Sequence, residues 1–250
     1  MSLITAGITD IGCVRRSNED SIGLFQDLDL YVVADGMGGH AAGEVASKMA
    51  VDQIEQFLKD VEKTESASTV SEKKNNQSLL ANAIASANQK IYNTSLEDAS
   101  LNGMGTTVVA LLAKPDEVEL GFVGDSRVYL YQNNGIQQLT KDHSLVNEYV
   151  KRGLLAPEAV ATHPQKHVLS RALGTGVEVE VETCKRVPCP GDIYLLCSDG
   201  LSNKLSSTEM ESIVMETKGN IEEAGRKLVH MAKEKGGEDN ISVVLVGYLA

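Results

Sequence analysis

GTTVVALLAKPDEVELGFVGDSRVYLYQNNGIQQL, residues 105–139, is a succession of short strand-like runs broken by turn-forming residues, and its reading decides the fold class. The runs TTVVALLA, EVELGFVG, RVYLYQ and IQQL are rich in β-branched and aromatic residues. Turn signals divide them at residues 114–116, at Asp125 and Ser126, and at residues 133–135. The stretch predicts an antiparallel meander. Towards the N-terminus lie three more strand runs, ITAGIT, SIGLF and LYVVA, with a turn over residues 27–29 that makes the last two a hairpin. From Ala41 the period changes: Ala46, Ala50, Ile54, Phe57 and Leu58 recur at helical spacing, as do Leu80, Ile84, Ala87 and Ile91 after a polar stretch, 62–77, that reads as a solvated loop. Towards the C-terminus, residues 143–163 carry helical spacing interrupted by Gly153 and Pro157, which predicts short helices on a lid-like excursion. The runs VEVEVETCKRV and DIYLLC then predict strands, followed by helices over 207–216 and 220–234 and a closing strand ISVVLVGYL. Antiparallel runs interspersed with helix pairs, without strict βαβ alternation, indicate an α+β fold. Neither a linker composition nor an internal repeat divides the chain, so residues 1–250 are expected to form one domain.

The composition narrows the function. With a net charge of −12, nonspecific attraction to a polyanion or an anionic lipid surface is disfavoured, so nucleic acid is not an expected partner. The apolar runs are strand-sized, well short of the roughly 18 to 20 residues that cross a bilayer, and MSLITAGITDIG has neither a basic start nor a long apolar stretch. Those features point to a cytoplasmic protein with no membrane insertion. The four cysteines, Cys13, Cys184, Cys189 and Cys197, are too scattered for a disulfide framework and read as reduced thiols.

Three strand runs end on a carboxylate: LYVVADG on Asp35, ELGFVGDS on Asp125 and DIYLLCSDG on Asp199. Asp239 of GGEDN stands just before ISVVLV, and Asp20 of RRSNED just before SIGLF. One such Asp-Gly is ordinarily a hairpin turn. Several at the mouth of a core, with few basic residues alongside, are costly unless something positive compensates them, and the economical compensation is more than one divalent metal ion.

The loop DGMGGHAAGE, residues 35–44, contains the spacing of a dinucleotide-binding turn in Gly36, Gly38 and Ala41. Two facts oppose that reading: Asp35 would face the pyrophosphate with like charge, and the flanking pattern is not βαβ. A metal loop fits better, with Asp35 supplying a carboxylate oxygen and Gly36 a backbone carbonyl.

RRSNED, VVADGMGGH, GMGTT, GDSR, LTKDHS, HPQKHVLSRALG, CSDGLSN and GGEDNIS, in this order from residue 15 to 242, make the chain resemble the metal-dependent protein phosphatases of the type 2C serine/threonine class, in particular their compact bacterial branch. The resemblance implies a four-layer αββα sandwich, two antiparallel sheets flanked by helix pairs, with a flap around residues 144–166 and a metal cluster at one end. It implies that Asp35 bridges two Mn²⁺ or Mg²⁺ ions, that the Gly36 carbonyl binds one of them and that Asp199 and Asp239 bind the other. Glu19 and Asp20 would act on the metals through water. A third, weaker ion would use Asp125 and Asp199; Asn203 stands where some relatives supply a further aspartate, which weakens that site. Arg15 would hold the substrate phosphate. His40 has two open readings, a proton donor to the leaving oxygen or a loop histidine bonded to backbone. His143, His163, Thr106, Thr107 and Arg171 would be structural supports.

The implied reaction is direct in-line hydrolysis of phosphoserine and phosphothreonine monoesters by a water that the binuclear centre activates. No CxxxxxR nucleophile is present to argue for a covalent route. The implied partners are phosphorylated proteins and a bacterial serine/threonine kinase, and a monomer is the expected state. Two competing readings stand beside this one. Another two-metal hydrolase, such as a nuclease, is opposed by the charge of −12. A catalytically silent phosphoprotein-binding regulator is opposed by the retention of Asp35, Asp199 and Asp239.

Overall fold

The computed structural model describes residues 1–38, 41–67, 78–114, 116–132 and 135–249. Its strands form two antiparallel sheets. One sheet runs β1 (Leu3–Asp10), β11 (Ile241–Tyr248), β10 (Ile193–Cys197), β7 (Arg127–Gln132), β8 (Gly135–Gln138). The other runs β2 (Asp20–Phe25), β3 (Leu30–Met37), β5 (Val108–Ala113), β6 (Val118–Val123), β9 (Glu182–Arg186), with the short β4 (Gly105–Thr106) pairing the end of β3.

The burial pattern explains the layering. In β3, Leu30, Val32 and Ala34 face one cluster while Tyr31 and Val33 face another. In β11, Val243 and Leu245 point outward to helices while Val244, Val246 and Tyr248 point between the sheets. A strand buried on both faces needs an unbroken apolar sequence, which is why these runs lack a polar alternation. The outer clusters are closed by α1 (Ala41–Ala67) and α2 (Leu79–Glu97) on one side, and by α5 (Ser207–Glu216) and α6 (Ile221–Glu234) on the other. The result is the four-layer αββα sandwich. α5 starts at a capping box in which the Ser206 hydroxyl accepts from the Glu209 N–H while the Glu209 carboxylate accepts from the Ser206 N–H. Among the described residues no helix is long and apolar enough to cross a membrane.

Several expectations from sequence are corrected. The meander does not continue through Asp125 and Ser126: β6 belongs to one sheet and β7 to the other, so this segment crosses between sheets instead of closing a hairpin. Gly124 takes φ +106, and both its backbone groups are held by His143, its N–H donating to Nδ1 at 3.1 Å and its carbonyl accepting from the His143 N–H at 2.9 Å. With those groups committed, the freed edge of β6 pairs with β9. The polar stretch 62–77 begins inside α1, which extends to Ala67; residues 68–77 lie outside the described residues, as do two residues of the turn at 133–135. Only the second half of VEVEVETCKRV is a strand. Residues 176–180 have side-chain partners instead of a ladder: the Asn88 amide donates to the Gly176 and Val177 carbonyls, and Arg171 donates to that of Glu180.

The excursion after β8 forms α3 (Leu145–Lys151), capped by the Ser144 hydroxyl, and a 3₁₀ turn at Pro157–Thr162. It returns beside its own start, where Ser144 bridges to Leu169 and the Leu145 N–H donates to the Val168 carbonyl. Two short helices closed at a common base form a flap, standing over the end of the sandwich where the aspartates collect.

Candidate metal centre

Both sheets deliver carboxylates to the same end of the sandwich. Asp35 lies near the end of β3, and Asp20, the first residue of β2, is its partner directly across the ladder. Like charges facing one another in a sheet are destabilising. Asp125 sits on the crossover after Gly124, Asp239 just before β11, and Asp199 opens a one-turn helix, α4 (Asp199–Ser202), that the sequence reading did not separate from its strand. A cleft of about 620 Å³ is lined by Arg15, Glu19, Asp35, Gly36, Thr107, Asp125, His167, Asp199 and Asp239. Asp20 lies behind them, 7% exposed. His40 lies outside the described residues.

The electrostatics follow from crowding. Burial, with the charges of Asp20, Asp199, Asp125 and Asp239, pushes the Asp35 carboxyl well above the usual carboxylate range. Burial raises Asp20 to about 7, against the hydrogen bonds of Ser242 and Ser198, with Asp199 and Asp239 adding to the rise. Asp125 also rises to about 7, through burial and the charges of Asp199 and Asp142. Asp199 is raised by burial and Asp239, while His167 and hydrogen bonds from Asp35 and Asn203 work the other way.

Arg15 is the close cationic compensation: its Nη2 reaches Asp239 at 2.9 and 3.0 Å. Burial acts against its charge, but Asp239, Glu19 and Asp35 hold the guanidinium above its ordinary value. Asn203, where the resemblance leaves the third ion short of an aspartate, donates its amide to Asp199 at 3.1 Å.

Hydroxyls and amides hold the carboxylates in place. The Asp35 N–H donates to the Thr107 hydroxyl at 3.1 Å, and that hydroxyl shares a 2.7 Å hydrogen bond with Ser126, next to Asp125. The Asp35 carbonyl accepts from the Thr107 N–H and the Thr106 hydroxyl. Ser198 donates to Asp20 at 2.8 Å. Asn240 ties the Arg15–Glu19 loop to β11, its side chain accepting from the Glu19 N–H and donating to the Ile11 and Ser17 carbonyls. At Gly36 a Cβ would stand 2.1 Å from the Gly43 carbonyl, so this glycine lets the N-terminus of α1 lie against the chain that follows Asp35. His143 is buried, stacked on Phe122 and bonded to Glu182 at 3.0 Å. Arg171 joins Glu180 and Glu182.

Sequence reading passed over His167, Ser198 and Asn240. His167 had no periodic signal, lying in an irregular segment. Asn240 and Ser198 each adjoin a recognised aspartate, and that adjacency was the available clue.

The donor set fits hard divalent cations: all the candidate ligands are oxygens, the charges are mutually repulsive, and the buried Asp20 Oδ1 has no hydrogen-bond partner. Among the described residues no three acidic, histidine or cysteine side chains are arranged round an ion as they stand. Asp239 is engaged by Arg15 and Asp199 by Asn203. Thr107→Val, which leaves the Asp35 N–H and Ser126 hydroxyl without this partner, is expected to weaken Mn²⁺ binding about 10- to 100-fold. Calorimetric titration with Mn²⁺ checks this, and Thr107→Ser should restore most of the affinity.

Comparison with known proteins identifies the family. The family model described as Protein phosphatase 2C matches residues 15–243. The serine/threonine phosphatase stp of Listeria welshimeri is 43% identical over 241 residues, covering 95% of this chain and 93% of that protein. The crystal structure of the serine/threonine phosphatase Stp1 from Staphylococcus aureus superposes with a TM-score of 0.87 at 33% identity, covering 100% of this chain and 96% of that one. The catalytic domain of the serine/threonine protein phosphatase PstP, in complex with two manganese ions, superposes with a TM-score of 0.83 at 34% identity, covering 99% of each chain. Match along nearly the whole length, on a fold that collects its aspartates at one mouth, makes the chain a member of the protein phosphatase 2C family.

Proposed function

We propose that the aspartate cleft is the active site of a metal-dependent serine/threonine phosphoprotein phosphatase, with residues 1–250 working as one catalytic domain. The observation that carries the reading is the convergence of Asp35, Asp125, Asp199 and Asp239 from both sheets on one open cleft beside Arg15. Mn²⁺ or Mg²⁺ bound there supplies Lewis-acid chemistry, making water nucleophilic at neutral pH and neutralising charge on the phosphoryl oxygens. Asp35 and the Gly36 carbonyl, with Asp199 and Asp239, would hold the two principal ions, and Asp125 would serve a third. Glu19 and Asp20 would orient water around them.

Arg15 grips the phosphate. Its bond to Asp239 leaves that task open, because an Asp239 holding a cation would free the guanidinium for an incoming dianion. His40 is the proposed donor of a proton to the leaving serine or threonine oxygen. The flap borders the site and limits access of bulk water to it. A bacterial serine/threonine kinase supplies the phosphoproteins, and the reaction takes place in the cytoplasm.

The test is hydrolysis of p-nitrophenyl phosphate and a phosphothreonine peptide with Mn²⁺ and with chelator. Metal-dependent release of phosphate from both is expected, and none from either would refute the reading. Arg15→Ala should reduce kcat/KM on the peptide about 10- to 100-fold, the range for losing a charge-assisted hydrogen bond to phosphate, mainly by raising KM. An unchanged KM would make Arg15 a structural partner of Asp239 only.

A further inference from the structure

A second cleft, about 780 Å³, opens beneath the flap. Asp125, His167 and Asp199 line it as well as the aspartate cleft, so the two are continuous and share a wall. A polypeptide with its phosphorylated residue in the first must therefore pass neighbouring residues into or across the second. The flap contributes apolar surface through Val146, Val150 and Val160. Its charged lining is uneven. Arg127 is bound to Asp142 at 2.6 Å and Lys151 to Glu148 at 3.0 Å. Lys141 and Lys166 line the same cleft, both exposed, and neither has an ion-pair partner among the described residues. With Asp125 and Asp199 of the shared wall engaged by the proposed ions, the Lys141 and Lys166 ammonium groups are the lining charges left without a partner among the described residues, in a chain of net charge −12.

We propose that the cleft under the flap receives the substrate segment adjoining the phosphorylated residue and selects an anionic side chain there through Lys141 and Lys166. The inference rests on the phosphatase reading and adds to it a substrate class: phosphoproteins whose phosphoserine or phosphothreonine is flanked by acidic residues on one side. Exposure of both lysines keeps the discrimination moderate. Two surface-type ion pairs together amount to about a 10-fold preference over a neutral segment, shrinking as salt screens them.

The experiment compares kcat/KM for phosphothreonine peptides carrying Glu, Ala or Lys on the N-terminal or the C-terminal side, each normalised to p-nitrophenyl phosphate turnover by the same enzyme. The wild type should favour Glu over Ala about 10-fold on one side, disfavour Lys there, and lose most of the preference at high ionic strength. The double variant Lys141→Glu, Lys166→Glu should reverse the order. Metal-dependent p-nitrophenyl phosphate turnover with equal use of all peptides by the wild type would overturn the proposal and leave the phosphatase reading standing. Retention of the wild-type order by the double variant would also overturn it. Absence of turnover on every substrate would remove the phosphatase reading and this inference with it. The wild-type comparison and its salt dependence decide the matter even if the double variant folds poorly.

Discussion

Asp35→Asn is expected to lower Mn²⁺-dependent turnover by at least about 10³-fold and, in the same protein, to raise the melting temperature of the metal-free form. The two effects share one cause. Asp35 stands opposite Asp20 across the ladder and feels the charges of Asp199, Asp125 and Asp239, so its ionised form is held at a cost that a bound cation would turn to advantage. Asparagine keeps the shape and one oxygen while removing the charge. The metal-free protein loses a repulsion, and the active site loses its proposed bridge. Calorimetry with chelator and phosphatase assays with Mn²⁺ measure the halves separately. A variant that is destabilised without metal would mean that Asp35 is compensated within the chain, contrary to the electrostatics described above.

The second large effect is the pH dependence of stability without metal. Asp20 and Asp125 titrate near 7 in the folded protein against about 3.9 in an unfolded chain. A carboxyl raised in this way favours the folded state below the unfolded value, and that contribution is lost as pH rises through the folded value. Holding Asp125 ionised above neutrality then costs on the order of 4 kcal/mol. Glu209 has the opposite sign. Hydrogen bonds from Lys235 and Ser206 hold it at about 2, so its contribution is present above the unfolded value and disappears in acid. The measurement is therefore a difference: wild type against Asp125→Asn, with chelator, from pH 4 to 8. The variant should gain relative stability steadily between pH 4 and 7. Saturating Mn²⁺ should raise the wild-type melting temperature by about 10 °C at pH 7.5, the shift expected for some 4 kcal/mol in a chain of this size, and by far less near pH 5. A constant difference between variant and wild type across the range would refute the assignment of those raised values.

Much of the site was legible because its chemistry is written in short segments. LYVVADG and DIYLLCSDG each announce a strand buried on both faces and a carboxylate at its mouth, and both features depend on residues adjacent in the chain. The link between Arg15 and Asp239 was not legible, since 224 residues separate them and no local pattern records their approach. The Asn240 side chain, which joins Glu19 to the start of β11, was hidden for the same reason.

Periodicity reports how a residue is buried, and capping reports where a helix begins. These are short-range properties, so the sequence by itself determined most of the strands, the helix pairs and the set of aspartates placed at strand ends. Which strand lies beside which is a long-range choice, settled by packing and by the geometry of a few backbone positions. At Gly124 a positive φ and two hydrogen bonds to His143 turn an apparent hairpin into a crossing between sheets. That crossing carries Asp125 to the mouth shared by both sheets. Only the tertiary structure could decide it, because the bonds that fix Gly124 come from a residue at the base of the flap and not from its neighbours in the chain.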